Sequence, residues 1–180
     1  MKKIFRDKKL TIAPLSAKDL KCAREYTDFI NDLITEGAKL LMNKKQTLKE
    51  EQGWVINVVK KVKNKEKVFL IARDGKKVVG NVSFESMTFR KNHIARMGIA
   101  IRQGYRGNGL GKYLMSEIMK LAKKQLKVKP KIFQLEVYEN NKPAIALYKK
   151  MGFKIVGKVP KQIQYGGKLI GEYIMIKEVK

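Results

Sequence analysis

The sequence predicts one α+β domain over residues 1–180, and three observations carry that expectation. Two strand-like runs, residues 67–72 and 78–84, meet at Asp74-Gly75, a strong hairpin signal. An apolar run at 93–101 enters a loop bearing Gly104, Gly107, Gly109 and Gly111. It leaves that loop as an amphipathic helix with Leu110, Tyr113, Leu114, Ile118, Leu121 and Ala122 at i, i+3, i+4 spacing. The 180 residues, 44% hydrophobic, suffice for one sizeable core and argue against disorder.

In chain order, residues 4–14 read as an opening strand. Ser16-x-x-Asp19 is a capping-box-like start for a helix through Leu20, Ala23, Ile30 and Leu33, which Gly37 breaks. Residues 38–46 read as a loop. Thr47-x-x-Glu50 caps a second helix carrying Trp54, Val55, Val58, Val59 and Val62, with Trp54 as a core anchor. The hairpin and the 93–101 strand form a three-stranded meander. After the glycine loop and its helix, Lys129-Pro130 marks a turn. Residues 132–138 make another strand, with Phe133, Leu135 and Val137 on one face and Gln134, Glu136 and Tyr138 on the other. Asn141 caps a short helix with Pro143 in its first turn, and Gly152 fits the left-handed position after it. Residues 154–159 and 169–177 close the chain as two strands across Gly166-Gly167. No repeat, linker or low-complexity segment interrupts this order.

Composition narrows the function. A single cysteine, Cys22, excludes an intramolecular disulfide and offers no cysteine cluster for zinc, so no metal site is expected. The first residues lack an apolar signal-peptide core, and no run approaches the ~20 apolar residues of a membrane span. A soluble, cytoplasmic protein is expected. The net charge of +25 fits either a lysine-rich solvated surface or an anionic partner, whether coenzyme phosphates or nucleic acid. The basicity is uneven. Between Asp19 and Glu51, seven acids (Asp19, Glu25, Asp28, Asp32, Glu36, Glu50, Glu51) face six bases (Lys21, Arg24, Lys39, Lys44, Lys45, Lys49). That helical region is where a cationic substrate meets least repulsion.

A glycine-rich strand-to-helix turn presents backbone N–H groups at the positive end of a helix dipole, where phosphate is the natural guest. Two familiar phosphate loops fail on spacing. A Walker loop needs Gly six residues before Lys112 and Ser or Thr after it, but Arg106 and Tyr113 stand there. The dinucleotide fingerprint needs a third glycine where Lys112 stands, and its distal acid is missing. What remains is Arg106-x-x-Gly109-x-Gly111, preceded by Gln103-Gly104-Tyr105.

That segment resembles the pyrophosphate loop of the GNAT superfamily of acyl-CoA-dependent N-acetyltransferases. A second motif follows in the same order and at the usual distance: Leu135-Glu-Val137, then Asn141-x-x-Ala144-x-x-Leu147-Tyr148-x-x-x-Gly152-Phe153. Together the motifs span residues 98–153. They look most like the branch acting on ribosomal proteins and protein α-amines. The resemblance implies the GNAT acyl-CoA N-acyltransferase fold, a mixed, mostly antiparallel sheet flanked by helices, with acetyl-CoA as acetyl donor. It places Arg106, Gly107, Asn108, Gly109, Leu110, Gly111 and Lys112 at the pyrophosphate and Asn141 at the pantetheine arm or its helix cap. Lys150, with Lys149, falls within reach of the 3′-phosphate.

The chemistry asks for three further groups. An acceptor amine is protonated near neutral pH, with reference pKa values of about 7.7–8.0 for an α-amine and about 10.4 for lysine, so a base must take a proton. The developing oxyanion needs a donor, which the family takes from the strand before the loop, here Ile99, Ala100 and Ile101. The departing thiolate needs a proton. By the resemblance Glu136 is the base and Tyr148 the acid, with Glu85, on a meander strand, as competing base. Many family members carry a glutamate on the strand before the loop; Arg96 stands at that position here. His93, the sole histidine, reads as surface.

The sequence thus predicts direct acetyl transfer from acetyl-CoA to a primary amine: a protein N-terminus, a lysine, or a small amine such as a polyamine. Two alternatives stand beside it, a non-catalytic acetyl-CoA sensor and a basic nucleic-acid or ribosome-associated module. Against the latter, the aromatics do not interleave with the basic runs as stacking platforms do. Monomer and homodimer both fit.

Overall fold

The computed structural model describes residues 1–179; Lys180, the last residue of the expected domain, lies outside them. Its elements run β1 (Lys2–Phe5), β2 (Lys8–Pro14), α1 (Ala23–Thr35), α2 (Leu48–Lys63), β3 (Lys67–Asp74), β4 (Lys77–Ser86), β5 (Ile94–Ile101), α3 (Leu110–Gln125), β6 (Ile132–Tyr138), α4 (Lys142–Lys150), β7 (Lys154–Tyr165) and β8 (Lys168–Glu178). All eight strands join one sheet in the order β1-β2-β3-β4-β5-β6-β8-β7. Every pairing is antiparallel except β5–β6, where α3 carries the chain across to a parallel neighbour.

Helices cover both faces. On one, Leu110, Leu114, Met115, Ile118 and Ala122 of α3 are fully buried against Val68, Leu70, Val82, Phe84, Met97 and Phe133. On the other, Tyr26, Phe29 and Leu33 of α1 and Val55 and Val58 of α2 pack on Phe69, Ile71 and Val78. Trp54 stacks its edges against Tyr26 and Phe69, each at 5.7 Å between ring centres, so it is the core anchor expected of it.

Three boundaries differ from expectation. The opening strand is a hairpin, β1 and β2, folded at Arg6-Asp7 with Arg6 at φ +54. A turn made without glycine leaves no sequence signal. The helix expected from Ser16 begins as a 3-10 turn, Ala17–Cys22, before α1 proper; Asp19 accepts from the Ser16 N–H at 2.8 Å. The closing strands are longer than their apolar cores. Pairing from Tyr165↔Lys168 to Lys154↔Ile176 extends them through polar residues around the Gly166-Gly167 turn, both at positive φ. The Thr47 capping box is present: Thr47 N–H donates to Glu50 at 2.7 Å and Glu50 N–H to Thr47 Oγ1 at 3.3 Å.

Candidate active site

The parallel pair β5–β6 is in register only from Ile94↔Ile132 to Arg96↔Gln134, although both strands continue, to Ile101 and Tyr138. Beyond Arg96 they part, and the edge of β5 facing β6 is left without a ladder partner. A cleft of about 820 Å³ opens there, large enough for a cofactor-sized ligand. Ile99, Ala100 and Ile101 form one wall, the 106–112 loop the next, and Asn141, Ala144, Leu147 and Tyr148 of the α4 segment the third.

The loop reaches this shape because its glycines do. Gly104, Gly107 and Gly109 lie at φ +81, +73 and +91, and a Cβ at any of them would point into open space. Gly109 then caps α3, where the N–H groups of Gly111 and Lys112, both lining the cleft, have no intrahelical acceptor. Gly111 sits on α4, where a Cβ would come 3.1 Å from Leu147 Cδ2. The open space above Gly107 and Gly109, and the free donors beside it, fit a pyrophosphate.

Three expected contacts are refined. The Leu110 N–H is taken by Asn108 Oδ1 at 3.1 Å, and the Leu110 side chain is fully buried in the core. Asn108 thus holds the first N–H of α3 from just before its cap, Gly109, and neither Asn108 nor Leu110 lines the cleft. The Arg106 side chain is engaged in the loop: its Nε donates to the Ile101 carbonyl at 2.6 Å and its Nη2 pairs with Glu36. Lys150, on the exposed last turn of α4, is not in the lining either.

Tyr148 is held by the end of its own helix. Phe153 N–H returns to the Tyr148 carbonyl and Gly152 N–H to Lys149, each at 3.0 Å, with Gly152 at φ +88. These are the two bonds of a Schellman motif. The Phe153 ring lies 6.3 Å from that of Tyr148. The phenol lines the cleft, is 7% exposed, and burial pushes its pKa up to about 12, so it stays an O–H donor through the neutral range. Asn141 also lines the cleft. Its main chain starts α4, accepting from Ile145 N–H at 3.0 Å, while its side chain caps nothing.

The two candidate bases flank Arg96 of β5, Glu85 opposite it on β4 and Glu136 ion-paired with it from β6. Glu85 pairs across the sheet with Lys67 and Arg96, at the end of β4 away from the glycine loop. Lys61 and Lys67 hold its carboxylate at 2.5 and 2.9 Å. The structure does not bring it to the cleft. Glu136 stands on β6 two residues past the last β5 pairing; like Glu85, it is not among the residues that line the cleft. Arg96 Nε meets its Oε2 at 2.6 Å and Gln134 Nε2 its Oε1 at 3.0 Å. The acid missing from position 96 of β5 thus has a counterpart one strand over, ion-paired with the arginine that stands there. Glu172 of β8, paired in register with Tyr138, shares that face; burial, and next the charge of Glu136, raise its pKa.

The remaining wall was invisible in the sequence. Leu33, Glu36, Gly37, Ala38, Lys39 and Leu40, at the end of α1 and beyond it, line the cleft. Two phenols hold that loop: Tyr165 Oη donates to the Gly37 carbonyl at 2.6 Å and Tyr138 Oη to Leu40 at 2.5 Å. The Gly37–Tyr165 contact joins residues 128 apart, which no local spacing announces. Glu36 also accepts from the Gln103 N–H at 3.1 Å, tying α1 to the glycine loop. Cys22 is half-buried at the start of α1 and is not in the cleft.

A cleft between two parting parallel strands, floored by a glycine cradle and bordered by a buried phenol, defines an acyl-coenzyme A-dependent acyltransferase. Comparison with known proteins agrees. Residues 34–153 match the acetyltransferase (GNAT) family. An N-alpha-acetyltransferase of Sulfurisphaera tokodaii is 30% identical over 149 residues, which cover 77% of this chain and 86% of that protein. An L-amino acid N-acetyltransferase of Escherichia coli K12 is 31% identical over 101 residues, 56% of this chain and 61% of that protein's length. The crystal structure of a GNAT-family acetyltransferase from Streptococcus pneumoniae superposes with a TM-score of 0.81 at 26% identity, covering 95% of this chain and 99% of that one. Three more distant structures of the same fold were solved with acetyl-CoA. The chain belongs to the GNAT family of acetyltransferases, with acetyl-CoA as its acetyl donor.

Proposed function

We propose that the acceptor is an α-amine, of a free amino acid or of a peptide N-terminus, and that the acetyl group passes to it directly with no covalent enzyme intermediate. The observation that carries the direct route is the buried Tyr148 phenol on the wall of a cleft that holds no cysteine. The acceptor class is supported by the two relatives, both described as acting on α-amines or amino acids. An α-amine also asks less of the base than a lysine does, its pKa lying about 2.5 units lower.

Acetyl-CoA, when bound, supplies an activated thioester carbonyl. Gly107, Gly109, Gly111 and Lys112 offer main-chain N–H groups to its pyrophosphate, and the free Asn141 amide meets the pantetheine arm. The unpaired edge of β5 at Ile99, Ala100 and Ile101 directs an N–H at the charge developing on the carbonyl oxygen. Glu136 takes the proton of the acceptor ammonium, directly or through one water. Tyr148 gives its proton to the departing sulfur.

The test is coenzyme A release from acetyl-CoA with free amino acids, free-N-terminus peptides, N-blocked lysine peptides and polyamines. Turnover concentrated on the first two classes is expected. Turnover confined to lysine peptides or polyamines contradicts the acceptor assignment. Acetyl-CoA binding without turnover on any acceptor contradicts catalysis and favours a sensor.

A further inference from the structure

The end of the sheet opposite the glycine loop carries a second cavity, of about 540 Å³, that the acetyltransferase chemistry does not use. Six lysines line it, Lys63, Lys65, Lys67, Lys124, Lys127 and Lys129, and no acid does. It lies where α2 and α3 both end, and Lys127 N–H bonds the Lys65 carbonyl at 2.8 Å to close it. Lys67 is paired with Glu85, and Lys129 donates to the Lys124 carbonyl at 2.7 Å. Lys63, Lys65, Lys124 and Lys127 have no acidic partner among the described residues. The two helix C-termini offset part of this charge, and six lysines still leave the concavity cationic and open to an anion.

At the same end of the sheet stands an aromatic in an unusual state. Phe89 opens a short 3-10 turn between β4 and β5, is 90% exposed, and sits at φ +53, a left-handed conformation that a bulky side chain rarely takes. Arg90 and Lys91 follow it. Backbone bonds join this loop to the cavity's rim: Ser86 N–H to the Glu66 carbonyl at 2.9 Å, and Lys131 N–H to His93 at 2.8 Å. An exposed ring amid unpaired cations is the arrangement that stacks bases while holding a phosphate chain. A second copy of the chain is a poor occupant, because it would bring an equally basic surface against this one.

We propose that this end of the molecule docks single-stranded nucleic acid, with phosphates in the lysine cavity and a base stacked on Phe89. The experiment is fluorescence anisotropy of labelled 16-nucleotide single strands, RNA and DNA separately, against the full chain at several salt concentrations. Binding that weakens steeply with salt is expected for at least one of the two strands. The triple variant Lys63→Gln, Lys124→Gln, Lys127→Gln should lower the slope of log affinity against log salt by about 2. Phe89→Ala should weaken binding at least about fivefold and leave the slope unchanged. A control triple at the other end of the sheet, Lys76→Gln, Lys161→Gln, Lys168→Gln, removes the same charge and should change the slope little. Acetyl-CoA turnover should persist in all variants, which shows that they fold. Equal losses in both triples, no effect of Phe89→Ala, duplex bound more tightly than single strand, or self-association abolished by Phe89→Ala would each overturn the proposal.

Discussion

Glu51 shows how far one residue can depart from the rule that carboxylates stay wet. It is 6% exposed in the first turn of α2, and no hydrogen bond or ion pair among the described residues reaches its carboxylate. A helix N-terminus favours negative charge, but burial wins here and raises the pKa to about 7. The sign follows from proton counting. Between the ordinary carboxylate range and pH 7 the folded chain holds a proton that the unfolded chain has released, so stability falls as pH rises through that window. Glu51→Met should therefore stabilise the protein at pH 8 by on the order of 2 kcal/mol and flatten its stability between pH 5 and 7. Urea melts across that range check it, and an unchanged slope would contradict it. The Thr47-x-x-Glu50 spacing marks Glu50 as the capping acid, but nothing in it announces that Glu51 is buried. One residue of helical rotation separates the two, and only the packing of α1 on α2 reveals the burial.

At the scale of elements, the glycine loop and the α1–α2 loop divide the work and respond to different substitutions. Gly109→Ala puts a Cβ on a residue at φ +91 and fills the open space above the cradle. The acetyl-CoA KM should rise about tenfold or more, with the acceptor KM little changed. Steady-state kinetics varying each substrate in turn would show it, and equal rises in both constants would count against it. The double variant Tyr138→Phe, Tyr165→Phe removes the two hydroxyls that hold residues 37–40 and should do the reverse, raising the acceptor KM several-fold. An acceptor KM left as it was would mean that this loop does not shape the acceptor site.

The same division explains what could be read in advance. The glycine loop, the Thr47 capping box, the Gly152 ending and the Tyr148 segment were legible because local geometry demands particular residues at fixed spacing. The β1–β2 turn was not, since Arg6 at positive φ carries no glycine to announce it. The Arg96–Glu136 pair depends on the register of two strands 40 residues apart, and Tyr165 reaches Gly37 across 128. Glu85 was placed as a base by its strand alone, and the pairing with Lys67 puts it at the wrong end of that strand.

For the molecule as a whole, one sheet carries two cavities at opposite ends of a strongly basic chain. At the end where β5 and β6 part, free main-chain donors await the coenzyme and the acids of α1 moderate the field. At the other end Lys63, Lys65, Lys124 and Lys127 have no acidic partner among the described residues. The +25 charge, uniform in a composition table, is thus resolved by the fold into a coenzyme cleft and a separate cationic cavity.

The central claim is that the cleft catalyses acetyl transfer with Tyr148 as its acid. The most direct measurement is coenzyme A release by wild type and Tyr148→Phe under saturating substrates, with acetyl-CoA affinity taken by calorimetry. The account predicts kcat lower by about a hundredfold or more in the variant, and a Kd for acetyl-CoA within about twofold of wild type. An unchanged kcat with unchanged affinity would contradict it.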